Sequence, residues 1–199
     1  MIKPSQITDY NRGTEALQEF LLFAVVVAGK NSMIQATKLD NFLLLLTNSY
    51  TAHNHVRPLD YFDAIRWAEP IGVAKWLKVA RMGQYTRITK AFCSIAEAEP
   101  NLKIVTAAEL AKIEGIGPKT SRFFVLHTQK NARCAALDTH ILKHMKAEHP
   151  DEYVRSIVPK STPSGNLYNV LEQKFLEMVD KTDMTVAEYD LKVWNSYSK

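Results

Sequence analysis

The chain has 199 residues, 46% apolar and 23% charged, with a net charge of +4. That length allows one ordinary domain or two small lobes sharing a core, and the apolar fraction excludes a disordered chain. Two cysteines, Cys93 and Cys134, are too few for a four-cysteine zinc or iron–sulfur centre and argue against a disulfide framework.

No strand alternation stands out, and helical periodicity fills the chain, so the fold class is all-α. The first helix spans roughly 14–28 and ends at Gly29. Its run "FLLFAVVVA" (Phe20 to Ala28) is too short to cross a bilayer, and Glu15 and Glu19 precede it where a secretion signal would be basic. It reads as a buried helix of an intracellular protein with no membrane partner. Further helices are predicted over 33–47, 60–68, 71–81 (ending near Gly83), 85–98 and 106–113. Others follow over 118–129, 139–148, 166–180 and 186–197. Two starts carry a capping box, Thr106 with Glu109 and Thr185 with Glu188, a hydroxyl paired with a carboxylate three residues on. The stretch "VPKSTPSGN" (158–166) is the longest connector, and there are no repeats.

Charge is unevenly placed. Lys75, Lys78, Arg81, Arg87 and Lys90 fall in one segment without an acid. From Leu110 to Lys146 seven cations face only Glu114 and Asp138, whereas nine of the eleven acids after residue 110 lie between Glu148 and Asp190. Basic segments followed by an acidic tail suit a nucleic-acid face with a solvated back; scattered solvated lysines are the alternative.

The most informative stretch is "IEGIGPKTSRFF" (113–124). Gly115 and Gly117 lie in a turn between two short helices, where backbone amides can approach an anion directly. Pro118 suits the first helical turn, and the helix N-terminus adds partial positive charge there. A phosphate cradle and a plain helical joint both fit this pattern. Nineteen residues after Lys119 comes Asp138 in "ALDTHILKHM", at a natural N-cap position.

Together, "LAKIEGIGPKTSRFFVLH" and "ALDTHILK" resemble the helix-hairpin-helix DNA glycosylase superfamily, the endonuclease III and 8-oxoguanine glycosylase relatives. The strong match covers about residues 106–146. The resemblance implies a two-lobed helical fold with its active site in the cleft between lobes. One lobe would span about 30–130, the other 1–29 with 131–199. Lys119 would be the amine nucleophile of a glycosylase/AP lyase and Asp138 the carboxylate that stabilises the electron-poor sugar. Gly115, Gly117, Lys119 and His140 would contact DNA phosphate. Tyr85 would be the wedge filling the gap left by a flipped nucleotide, with Gln84 and Arg87 beside it and Lys30 and Asn31 facing the orphaned base.

The final "AEYDLKVWNSYSK" resembles the archaeal-type 8-oxoguanine glycosylases, in which the pattern Glu188, Asp190, Leu191, Trp194 and a terminal lysine recur. That likeness implies a base pocket of Trp194, Lys199, Phe123 and His127 and an oxidised purine, most of all 8-oxoguanine, as substrate. The spacing from Trp194 to Lys199 is shorter than that branch leads one to expect. The expected partner is double-stranded DNA carrying a damaged base, bound by a monomer. No metal or iron–sulfur cluster is expected; a monovalent or divalent cation at the hairpin is compatible with the family. Another modified base and a non-catalytic DNA-binding module are the rival readings.

Overall fold

The computed structural model describes residues 2–54 and 60–197, and among these the chain is all helical, with no strand. The helices are α1 (Thr14–Val26), α2 (Ser32–Asn54), α3 (Tyr61–Val79), α4 (Tyr85–Ala98) and α5 (Ala107–Leu110). They continue as α6 (Pro118–Thr128), α7 (Thr139–Glu148), α8 (Glu152–Ile157), α9 (Gly165–Val179) and α10 (Val186–Tyr197). No helix among the described residues is long and apolar enough to cross a membrane.

Helix α1 is buried on every side from Phe20 to Val26, as a helix with no polar face must be. It packs against α2, α3, α4 and α6 and anchors the larger of two apolar clusters, which runs from Ile7 to Val125. The second cluster begins at the next residue, Leu126, and gathers α7, α9 and α10. By apolar contacts, the side chains of α1 group with those of α2 to α6.

Where the helices differ from the periodicity, tertiary contacts and proline explain it. α2 continues seven residues past the predicted end at 47 because its last turns pack on a neighbour: Tyr50 and His53 lie 5.5 and 5.1 Å from the Trp67 ring. The two helices expected over 60–68 and 71–81 form as one element broken at Glu69, whose φ of 54° precedes Pro70. Proline excludes the helical conformation from its predecessor, which produces the break. Helix α8 was not predicted; it buries one side chain, Val154, and leaves no periodicity to detect.

The start of α6 is fixed by local chemistry. The capping box of Thr106 and Glu109 forms as expected, and α5 runs into the turn that carries the two glycines. Gly115 has φ +87°, and a Cβ there would lie 2.5 Å from Ala91 Cβ, so this glycine lets the hairpin seat against α4. Gly117 is the N-cap of α6 in extended conformation, with Pro118 in the first turn and open space where a Cβ would go.

Candidate functional site

A cleft of about 780 Å³ opens where the start of α6, the segment before α7, the end of α1 and α10 converge. Lys119, Phe123, Asp138, His140, Asp190 and Trp194 line it, together with Gly117, Lys30 and Asn31. Residues distant in sequence thus meet in one concavity.

Lys119 sits one residue into α6 after Pro118, and its ammonium lies 4.3 Å from the ring centre of Phe123, one helical turn on. The residue is half-buried on the cleft wall, with its ammonium over the Phe123 ring. Desolvation pushes the Lys119 pKa below the ordinary lysine value, against the opposing pull of Asp138 and Asp190. An ordinary lysine with a pKa of roughly 10.4 is about 0.1% neutral at pH 7.4, so any depression enlarges the nucleophilic fraction.

Asp138 caps α7, its Oδ1 accepting from the amides of His140 (2.8 Å) and Ile141 (2.9 Å). Only that oxygen enters the cap, which leaves Oδ2 for a ligand. The segment delivering Asp138 is neither helix nor strand; side chains of α9 supply several of its hydrogen bonds, beside a Leu137-to-Ala135 backbone turn bond (3.1 Å) and the Thr162 hydroxyl donating to the Leu137 carbonyl (3.1 Å). Glu172 accepts from the Ala135 amide (2.9 Å), and the Tyr168 hydroxyl donates to the Ala135 carbonyl (2.7 Å) and accepts from the Leu137 amide (3.1 Å). Arg122, on α6 one turn beyond Lys119, donates to Glu172 at 2.6 Å and lies over the Tyr168 ring. This network ties the helix bearing Lys119 to the segment bearing Asp138. Glu172 and Tyr168 escaped the sequence reading, although a glutamate on the buried stripe of α9 is a visible signal.

His140 lines the cleft half-buried, its buried Nδ1 without a partner and its ring 6.0 Å from that of Trp194, edge to face. Trp194 is likewise half-buried on the cleft wall, outside the core. His127 corrects an expectation: it is fully buried and is held behind Phe123 and Asp190, so it is not itself a wall of the cleft. Asp190 takes the wall position instead. It shares the buried face of α10 with Val186 and Val193, and a carboxylate on an apolar stripe is a signal that could have singled it out. Lys199 lies outside the described residues.

The remaining candidates form a second group around the turn before α4. Arg81, Gly83 and Gln84 all have positive φ, so the turn is wound in left-handed geometry. Lys30 donates to the Met82 carbonyl (3.1 Å), while Arg87 bonds the Gln84 side chain (2.7 and 3.0 Å) and the Val25 carbonyl (3.2 Å). Lys30 and Arg87 therefore brace the turn. Tyr85, expected as the wedge, is half-buried against the larger apolar cluster, and Gln84 is exposed in its place. Asn31 caps α2 through an Oδ1 contact to the Ile34 amide (3.1 Å). Gly115, Gln84, Tyr85 and Arg87 are not part of the cleft lining.

Among the described residues there is no group of three or more His, Cys, Asp or Glu that could hold a metal ion. No protein-family model, no curated protein and no solved structure matches the chain.

Proposed function

We propose that the chain is a DNA glycosylase with AP lyase activity, built as a two-lobed helix-hairpin-helix fold and acting on an oxidised purine, 8-oxoguanine first among them. The observation that carries the reading is a single one: a desolvated lysine at a helix N-terminus shares a cleft with the carboxylate of a second helix cap.

In this reading the neutral Lys119 amine forms a bond to C1′ as the N-glycosidic bond breaks, and the base leaves with the electron pair. The Asp138 carboxylate stabilises the positive charge that develops on the sugar. Loss of the amine proton and ring opening give a Schiff base; removal of a C2′ proton then expels the 3′ phosphate. The exposed glycine hairpin at Gly117 grips a phosphate of the same strand through backbone amides. The left-handed turn carrying Gln84 is suited to enter the gap that base flipping leaves.

The test is borohydride trapping with duplexes carrying 8-oxoguanine, other modified bases or an abasic site. A covalent complex is expected with the oxidised-purine and abasic duplexes, and Lys119→Gln removes it. Full trapping by Lys119→Gln overturns the nucleophile. Tight duplex binding with no adduct from any substrate would show a DNA-binding module in place of an enzyme.

A further inference from the structure

His127 has no task in the chemistry above, yet its surroundings are specific. Its Nδ1 lies 2.8 Å from the Thr8 hydroxyl and its Nε2 lies 3.6 Å from Asp190 Oδ2. Both side chains are buried, His127 at 0% exposure and Asp190 at 6%, and both His127 Nε2 and Asp190 Oδ1 lack a hydrogen-bond partner. Thr8 is brought there by the segment before α1, which docks on the end of α6. The Asp9 amide (3.1 Å) and Arg12 guanidinium (3.0 Å) both donate to the His127 carbonyl, one of the unsatisfied carbonyls of the last helical turn. Arg12 also bonds the Ile7 carbonyl (2.7 Å) and lies 4.1 Å from the Phe20 ring centre.

The contacts choose a tautomer. If the Thr8 hydroxyl donates to Nδ1, the ring proton sits on Nε2 and faces the carboxylate. The opposite tautomer would set the Nε2 lone pair against Asp190 Oδ2 in a site closed to water, where unpaired acceptors are most unfavourable.

We propose that Thr8 and His127 are positioning residues for Asp190. The Thr8 hydroxyl bonds His127 Nδ1 and so aims Nε2–H at Asp190 Oδ2, 3.6 Å away, an electrostatic contact beyond hydrogen-bond length that steadies the carboxylate of this cleft-lining residue while its Oδ1 stays buried and unpartnered. The ligand group that fits this acceptor is an N–H donor. An anion is disfavoured, because Asp138 on the same cleft opposes one and the Lys119 charge is already shared between the two carboxylates. The identity of the donor as an N–H edge of an extruded base rests on the proposed function; the relay itself does not.

Two measurements on the full chain test it. Long-range ¹H–¹⁵N NMR reads the His127 tautomer directly: Nε2–H is expected in the wild type, with a mixture in Thr8→Val. An Nδ1–H tautomer in the wild type overturns the relay. The second compares single-turnover excision of 8-oxoguanine with cleavage of a preformed abasic site. Asp190 also acts on the charge of Lys119, an effect common to both reactions, so the ratio isolates the base contact. In His127→Leu and Thr8→Val, excision should fall about ten- to a hundredfold relative to abasic-site cleavage, the worth of a hydrogen bond to a charged group. His127→Gln and Thr8→Ser, which keep a donor at each position, should restore the ratio. An unchanged ratio, or equal loss of both reactions, overturns the proposal. A wild type that processes neither substrate overturns the enzyme reading, and the tautomer still decides the relay.

Discussion

Lys119 holds two requirements in tension. The nucleophile of the proposed function needs a neutral amine, whereas a folded protein gains nothing from a desolvated one. Because burial lowers its folded pKa, the unfolded chain binds this proton more tightly between the folded pKa and the ordinary 10.5. Stability therefore rises with pH across that window, and below it the full penalty is present. Lys119→Met keeps an apolar contact for Phe123 and removes the charge. It should stabilise the protein by about 0.5–2 kcal/mol at neutral pH, with the gain shrinking as pH approaches the lysine value; thermal melts across pH check this. The trapping rate of the wild type should rise with pH and level off below the ordinary lysine pKa. Asp138 separates its roles by substitution. Asp138→Asn retains the α7 cap and loses the charge, so turnover should fall while the melting temperature holds. Asp138→Ala should lose the cap as well, at about 1 kcal/mol of stability in urea unfolding.

At the scale of the element, the hairpin assigns different work to its two glycines. Gly115 serves the fold: positive φ and the Ala91 contact leave no room for a side chain. Gly117 has neither constraint, so it is the cleaner probe of anything outside the protein. Gly117→Ala should leave stability within about 1 kcal/mol, since an allowed glycine replacement and a slightly poorer cap offset each other. It should weaken binding to damaged and undamaged duplexes alike, as a fluorescence titration would show. Gly115→Ala should destabilise by roughly 1–3 kcal/mol whatever the ligand. The sequence motif marks both glycines equally; only α4, a separate helix packed behind the turn, distinguishes them. The turn before α4 teaches the same lesson. Tyr85 was the natural aromatic choice from the motif, yet placing it in the first turn of α4 directs it to the core and leaves Gln84 exposed.

Across the whole molecule, the acidic C-terminal third is not simply a solvated back. Glu172 pairs with Arg122, and Asp180 forms a two-bond pair with Arg133 at 2.7 and 3.0 Å. Two of the seven cations between residues 110 and 146 are thus neutralised by the tail that the charge pattern had set apart. Exposed Lys75, Lys78, Arg81 and Lys112 remain as candidates for phosphate contact. On the proposed function, affinity for DNA should fall steeply with salt, with a logarithmic slope of about −0.9 for each phosphate neutralised. Lys112→Gln should reduce that slope by about one unit, and Arg133→Gln should barely change it. The Arg122–Glu172 pair has a different use, joining α6 to α9 across the boundary of the two apolar clusters. Arg122→Met would leave a buried carboxylate without its cation and should destabilise by about 3–5 kcal/mol, with Arg122→Met/Glu172→Met recovering much of the loss in urea melts.

Local interactions made much of this protein legible in its sequence. Both capping boxes, the proline at the start of α6 and the Asp138 cap depend on residues within a turn of one another, and each is found where the sequence indicates it, whereas helix ends such as those of α2 and of the four-residue α5 are not. The pairing of Lys119 with Asp138 was legible through the resemblance that the two motifs carry, and the cleft holds both residues. Tertiary packing alone decided the rest. Thr8 and His127 are 119 residues apart, and their contact exists only because the N-terminal segment caps the far end of α6. Asp190 became a cleft residue through the docking of α10 on α6 and α7. A short polar side chain carries no periodic signal of its own, so its role emerges only when the helices around it have chosen their neighbours.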